Sequence, residues 1–366
     1  MVKTLKDKVA EGPQEVDVLH WMGRAALEMI GRSGFGYSFD TLVEGATPHP
    51  FIAAIKQYIP TISSFAISRE YILPKLIKIG TPRLRRLAVN LIPSKRIQKL
   101  RDIVETIDRT SVEIVEIKKQ VLQKGGGAFE FLDEQGKDIM SILGTTLTGA
   151  GTDTTSNALS RVLHLLSMHP EAQDKLRSEV IQAISTHGDN MSYDDLLTLP
   201  FLDAVCRETL RLYPPFSTMA RDASVPLSAP IKGIDGREMH SIMIPKGTKV
   251  FISILNANRD PALWGPDSHE WKPERWLSPL PQALADARVP GIYSNLMTFF
   301  GGGRACIGFK FSQLEMKVVL STLISQFRFS PSREIEWKMT VVSTPWVKGS
   351  MVSQLPLNIE LVSKTA

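Results

Sequence analysis

Three consecutive glycines, Gly301, Gly302 and Gly303, stand directly ahead of a helical run, and few folds have a use for such a stretch. The segment reads Phe299-Phe300-Gly301-Gly302-Gly303-Arg304-Ala305-Cys306-Ile307-Gly308, and apolar residues at helical spacing follow over residues 309–325. Glycines let a backbone turn sharply and approach a neighbour closely. The unpaired N–H groups at a helix start stabilise a thiolate and hydrogen-bond its sulfur. The pattern therefore presents Cys306 as a thiolate at a helix mouth, with the guanidinium of Arg304 two residues away. The competing reading is a buried, inert cysteine in a tight turn.

The spacing Phe-x-x-Gly-x-Arg-x-Cys-x-Gly is filled by Phe299, Gly302, Arg304, Cys306 and Gly308. It resembles the haem-binding loop of the cytochromes P450. The resemblance implies a mainly α fold with a small β portion, lacking its N-terminal part. It implies haem (iron protoporphyrin IX) as cofactor, Cys306 as axial ligand of the iron, and Arg304 beside a haem propionate. Thiolate ligation pushes electron density onto the metal, which distinguishes oxygen activation from oxygen carriage.

A second run, Gly149-Ala150-Gly151-Thr152-Asp153-Thr154-Thr155, lies inside an apolar helical pattern over residues 142–168. Glycine costs about 1 kcal/mol in a helix interior, and threonine bonds back to the carbonyl one turn earlier. Together these predict a local opening of the helix. The run resembles the family's oxygen-activating motif, filled by Ala150, Gly151, Asp153, Thr154 and Thr155. By that resemblance Thr154 hydrogen-bonds the oxygen being activated and Asp153 passes protons inward. A threonine-rich helix start capped by Asp or Thr is the alternative.

Glu208 and Arg211 stand at i, i+3 and can pair on one helical face. With the downstream Pro273-Glu274-Arg275-Trp276 they resemble the family's Glu-x-x-Arg helix and its partner segment. The resemblance then makes Glu208, Arg211 and Arg275 a buried structural cluster, in which the carboxylate needs its pairing to stay charged. Arg221 occupies a place where the family often puts a second propionate ligand, and residues 216–219 would face substrate. Trp21 and Arg24, with two residues between them, do not match the family's propionate helix. Cys206 is expected to be a small core residue.

Length and composition allow a single large domain over residues 1–366, with no linker and no internal repeat. The two cysteines provide no disulfide framework and no zinc pattern, and the seven histidines stand without ligand spacing. A formal charge of +5 comes without an aromatic-interleaved basic stripe, so nucleic acid is not an expected partner. An acidic protein or an anionic membrane surface suits it better. Rossmann and P-loop fingerprints are missing, so electrons must come from another protein. The resemblance names NADPH-cytochrome P450 reductase, and Arg304, Lys310 and Lys317 flank the thiolate as candidates to meet it. A small apolar substrate, O2 and a monomeric state complete the expectation.

No apolar run is long enough to cross a bilayer, although residues 51–79 are rich in Ile, Phe and Tyr and could touch lipid. As written the chain is expected to be soluble or peripheral, while the resemblance implies association with the endoplasmic reticulum membrane. Residues 21–40 look most like fungal members, for which secondary metabolism is the expected setting. The chain resembles a P450 that begins mid-fold. Residues 136–143 resemble a segment well before the oxygen motif yet run almost directly into it, which predicts an internal deletion. Two activities follow: a haem-thiolate monooxygenase, or a shortened product with weak or no haem binding.

Periodicity predicts helices over residues 16–30, 94–124, 142–168 and 170–184, and a short then a longer helix within 193–212. Strands and turns are expected over residues 225–254 and 343–361.

Overall fold

The computed structural model describes the chain except at positions 48, 125–133, 222–224, 243, 246, 247, 249, 340 and 363–366. For residues 56, 59, 60, 70, 118, 119, 121–124, 134–147, 219–221 and 225–230 it describes the backbone alone. The chain forms two compact units, residues 1–202 with 310–366 and residues 203–309.

The first unit begins with α1 (Val2–Lys8), β1 (Gln14–Asp17) and α2 (Val18–Ile30), followed by α3 (Pro50–Ser63), α4 (Leu73–Leu76) and α5 (Pro82–Leu91). Next come α6 (Lys95–Lys124), α7 (Glu134–Met168), α8 (Pro170–His187), α9 (Tyr193–Leu197) and the start of α10 (Pro200–Leu212). The starts of these helices are local decisions. Asp17 accepts the N–H of His20, Pro170 takes the first position of α8, and Ser192 with Asp195 forms a capping box.

Helix α7 is the centre of this unit, packing against α2, α6 and α8. Its Leu159, Val162, Leu163 and Leu166 are fully buried, and each such side chain contributes about 1.5–3 kcal/mol through removal from water. A second cluster joins Leu27, Phe39, Phe51, Ile55, Ile103 and Ile107. The turn after α2 is held by Glu28, whose carboxylate accepts the N–H groups of Phe39 and Asp40 at 2.8 Å each. Arg24 is committed to Asp40, with bonds of 2.7 and 2.6 Å, and its guanidinium lies 4.6 Å from the Trp21 ring.

The second unit holds the rest of α10, β2 (Thr218–Arg221), β3 (Val225–Lys232), β4 (Glu238–Ile242) and β5 (Val250–Ser253). Short helices α11 (Ile254–Ala257), α12 (Pro261–Trp264) and α13 (Gln282–Asp286) follow. Strand β2 pairs antiparallel with β5, and β3 with β4. The chain then returns to the first unit through α14 (Phe309–Ile324), β6 (Phe327–Pro331), β7 (Ile335–Met339), β8 (Ser343–Val347) and β9 (Pro356–Leu361). Strand β9 lies between β1 and β6, antiparallel to both, while β7 and β8 form a hairpin.

The helix expected over residues 16–30 thus starts two residues later, after a strand. Val16 serves β1, turned inward, because a partner strand far along the chain, β9, supplies the hydrogen bonds. The helix expected from residue 142 begins at Glu134.

Candidate active site

Cys306 lies between a 3-10 turn, Gly302–Arg304, and the first residue of α14. Its N–H donates to the Phe299 carbonyl at 2.9 Å, closing the loop, and its thiol is exposed. The Ala305 N–H donates to Gly302 at 3.1 Å, the Phe300 N–H to Met297 at 2.8 Å and the Ile292 N–H to Phe300 at 3.0 Å. Phe300 adopts φ of 60° and is buried with Ile254 and Met297. The Phe299 ring stands 5.4 Å from that of Tyr293 and 5.9 Å from that of Phe309.

The three glycines do different jobs. A Cβ on Gly301 would fall 2.0 Å from the Pro290 carbonyl oxygen, so that position needs glycine for close backbone approach. Gly302 needs it for its left-handed φ of 65°. Gly303 and Gly308 would meet nothing within 4 Å, and they face open space together with the exposed Cys306 thiol, Arg304 and Ile307. An exposed thiol, two glycines without a side chain in the way, an apolar Ile307 and one guanidinium fit a flat, anionic, metal-bearing macrocycle such as haem.

What holds this loop is a hydrogen-bonded chain that begins at Glu208. Arg211 grips the Glu208 carboxylate with Nε at 2.8 Å and Nη2 at 2.7 Å, and both side chains are fully buried. The same carboxylate accepts from Trp276 Nε1 at 2.9 Å, the Lys272 N–H at 3.1 Å and Arg275 Nε at 3.4 Å. Arg211 also donates to the carbonyls of Ser268 at 2.6 Å, Asn258 at 3.1 Å and Glu270 at 3.1 Å. Asn258, itself buried, donates to Thr298 Oγ1 at 2.7 Å and accepts the Met297 N–H at 2.8 Å. Thr298 Oγ1 in turn donates to the Leu210 carbonyl at 2.8 Å. Bonds to a charged carboxylate are the strong ones, and an unbroken chain of them fixes geometry.

Arg275 donates to Asp267 at 2.7 Å. Burial works against its charge, but its hydrogen bond to Asp267 and the nearby Glu208 hold its pKa above the ordinary value. The same hydrogen bond holds the Asp267 carboxyl below the usual range.

The sequence points to Glu208, Arg211 and Arg275, and the structure brings the three into contact. Asn258, Thr298, Asp267 and Trp276 complete the support without any spacing that would single them out. Cys206 is buried, as a small core residue. The Arg221 side chain lies outside the described residues, as do those of Met219 and Ala220, while Phe216 is exposed. Among the described residues no group of His, Cys, Asp and Glu could hold a metal ion by itself.

In the first unit, Thr154 and Asp153 are both half-buried on α7. The Thr154 hydroxyl donates to the Ala150 carbonyl at 2.6 Å, and Thr152 to Thr148 at 2.6 Å. The Asn157 amide donates to the Asp153 carbonyl at 2.8 Å. The local opening expected here does not occur, because the α-helix runs unbroken through these residues. The hydroxyls double up on carbonyls already used by the helix. The glycine at 151 instead makes room for α2, since a Cβ there would lie 2.6 Å from Ile30 Cδ1.

Lys317 also departs from expectation. It is 2% exposed and so is not presented to a partner protein, because this part of α14, with Glu315 and Met316, is turned inward. Arg304 and Lys310 are exposed.

Comparison with known proteins places these features. The family model described as "Cytochrome P450" matches residues 1–355. Cytochrome P450 monooxygenase 91 of Postia placenta is 48% identical over 393 residues, covering 99% of this chain and 72% of that protein. Ganoderic acid synthetase CYP5150L8 of Ganoderma lucidum is 43% identical over 99% of this chain and 71% of its own length. The crystal structure of the cytochrome P450 CYP102L1 matches 99% of this chain and 72% of its own, with a TM-score of 0.68 at 23% identity, and so shares the mainly α fold. The match to the Postia protein runs over 393 residues against the 366 of this chain, so the relative holds residues within the matched region that have no counterpart here. The chain belongs to the cytochrome P450 family, whose members are haem-thiolate monooxygenases.

Proposed function

We propose that this chain is a haem-thiolate monooxygenase that inserts one atom of O2 into a small apolar organic substrate of fungal secondary metabolism, as a monomer supplied with electrons by NADPH-cytochrome P450 reductase. The domain that does so is taken to be residues 1–366, held peripherally at the endoplasmic reticulum membrane. The observation that carries this reading is the exposed Cys306 thiol on a loop braced by the Glu208 network. The fungal setting is supported by the Postia and Ganoderma relatives.

When bound, haem supplies activation of dioxygen and transfer of one oxygen atom. The chain supplies the rest. Cys306 would provide the sulfur ligand from its place at the entrance to α14. Phe299, Gly302 and Gly308 would shape the surface that receives the macrocycle. Arg304, and with it Arg221, would pair with propionates as a guanidinium does with carboxylates. Thr154 keeps its hydroxyl lone pairs while donating to Ala150, so it can accept and pass a proton that Asp153 brings from solvent. Glu208, Arg211 and Arg275 position the loop and touch no substrate.

The test is the absorption spectrum of the reduced, carbon-monoxide-treated protein. A thiolate-type Soret band that Cys306→Ala abolishes supports the assignment, and an unchanged spectrum in that variant overturns it. Thr154→Ala should keep the band while oxygen consumption uncouples from product formation, as expected of a proton-relay residue. The residues that the relative holds and this chain lacks favour a second reading, a shortened product with weak or no haem binding. A missing band in the unsubstituted protein would select it.

A further inference from the structure

Trp21 and Arg24, the pair that the propionate pattern does not absorb, stand on the wall of a cavity of about 540 Å³. It lies wholly within the first unit, among residues of α1, β1, α2, α3 and the loop 40–46. Its apolar lining is the Trp21 ring with Val16 and Ile52, all buried. That volume suits a small organic molecule, and an apolar wall carrying a few placed polar groups is what such sites share. The loop side is fixed in advance. Thr4 Oγ1 donates to the Leu42 carbonyl at 2.8 Å, the Leu42 N–H donates to Asp40 Oδ1 at 2.7 Å, and Lys8 pairs with Glu44.

Two donors in this wall lack an acceptor. Arg24, 8% exposed, gives Nε to Asp40 at 2.7 Å and Nη2 to Asp40 and the Val43 carbonyl at 2.6 and 2.9 Å, which leaves Nη1 without a hydrogen bond. Trp21, 4% exposed, makes no hydrogen bond through Nε1. Neither nitrogen is sealed in the core, so both can be reached from outside. The guanidinium lies 4.6 Å from the Trp21 ring, which makes the two donors neighbours. Indole and guanidinium N–H groups of buried residues normally find an acceptor, and no described residue of this chain brings one.

Charge narrows what would answer them. Four carboxylates, from Glu15, Asp17, Asp40 and Glu44, line the cavity with the cations Lys8 and Arg24. Arg333 pairs with Glu15 at 2.8 Å and still leaves an excess of acid. An anion would meet that excess, and an ammonium has no lone pair to offer two donors. A neutral carbonyl oxygen has two lone pairs and no charge.

We propose that this cavity binds a small neutral carbonyl compound with an apolar skeleton. Its oxygen accepts from Trp21 Nε1 and Arg24 Nη1, and its skeleton lies against Val16, Ile52 and the Trp21 ring. The site is built from the first unit alone, so the inference is independent of haem binding.

The test is titration of the full chain with 2-acetylnaphthalene, followed at the indole N–H resonances by 15N NMR. The Trp21 resonance, identified by its loss in Trp21→Phe, should shift saturably. Ala53→Trp, at the exposed edge of the cavity, and Ala46→Trp, on the loop, should each abolish the shift with an unchanged far-UV circular dichroism spectrum. 2-Ethylnaphthalene, which lacks the oxygen, should bind about tenfold more weakly, as loss of a hydrogen bond requires, and the anion 2-naphthoate should be weaker than the ketone. An unmoved Trp21 resonance, equal affinity for 2-ethylnaphthalene, tighter binding of 2-naphthoate, or a shift that survives both tryptophan substitutions would each overturn the proposal. A displaced Soret band as the only response to the ketone would place it at the haem and would also overturn the assignment.

Discussion

Replacing Arg211 by Met tests whether the Glu208 network is what fixes the thiolate loop. The substitution keeps volume and removes five hydrogen bonds, two to the Glu208 carboxylate and three to the carbonyls of Asn258, Ser268 and Glu270. Breaking one side of a buried ion pair costs about 3–5 kcal/mol. The three orphaned carbonyls push the loss toward the upper end, since each unmet buried group costs on the order of 1–3 kcal/mol. Arg275, Trp276 and the Lys272 N–H still hold Glu208, which keeps the loss from rising further. Substituting Leu for Glu208 in the same chain should recover only part of it, because the donors from Lys272, Arg275 and Trp276 would then lack an acceptor. Hydrogen exchange reads the effect locally without assuming two-state unfolding. The amides of Met297, Phe300 and Cys306 should exchange faster by about a hundred-fold or more, at 1.4 kcal/mol per tenfold. A loss below about 1 kcal/mol, or faster exchange confined to residues 208–212, would refute the reasoning.

The glycines of the loop should separate folding from cofactor binding. Gly301→Ala must move the Pro290 backbone and should lower the melting temperature markedly, whereas Gly303→Val should melt like the parent protein yet take up haem poorly in a titration followed at the Soret band. A second outcome is set by Glu315, buried on α14 with Oε1 unpartnered and its carboxyl pushed up to about 9 by burial. The fold favours the protonated acid, so stability is fully present below the ordinary value of 4.5 and falls as pH rises toward about 9. The slope is about 1.4 kcal/mol per pH unit, and Glu315→Gln should flatten it in denaturant titrations across that window. A third concerns His164, whose Nδ1 accepts from Trp337 Nε1 at 3.1 Å and whose pKa is lowered to about 4 by burial and then by Arg161. It should stay neutral by NMR below pH 6, and its contribution to stability should fade as pH drops from 6.5 toward about 4.

The helices were legible in the chain because their periodicity is local: 95–124, 170–187 and 309–324 lie within a few residues of what the apolar spacing predicts. Strand β6 was not, since its pairing with β9 depends on residues farther along the chain. The Cys306 segment and the Glu208–Arg211–Arg275 set could be read from motif spacing. Asn258 could not, because its importance comes from standing between Arg211 and Met297, which a linear pattern does not encode. Gly151 shows the opposite failure. A glycine in a helix reads as a weak point, yet here it answers the approach of Ile30 from another helix.

The three-stranded sheet β1-β9-β6 has a consequence for biosynthesis. Its middle strand is residues 356–361, and its partners are residues 14–17 and 327–331. Strand β1 therefore waits for β9, which is synthesised far later, while residues 203–309 have their hydrogen-bonded network complete well before. Closure of this sheet is then an event of high contact order, and removal of residues 356–361 would leave both outer strands without the one between them.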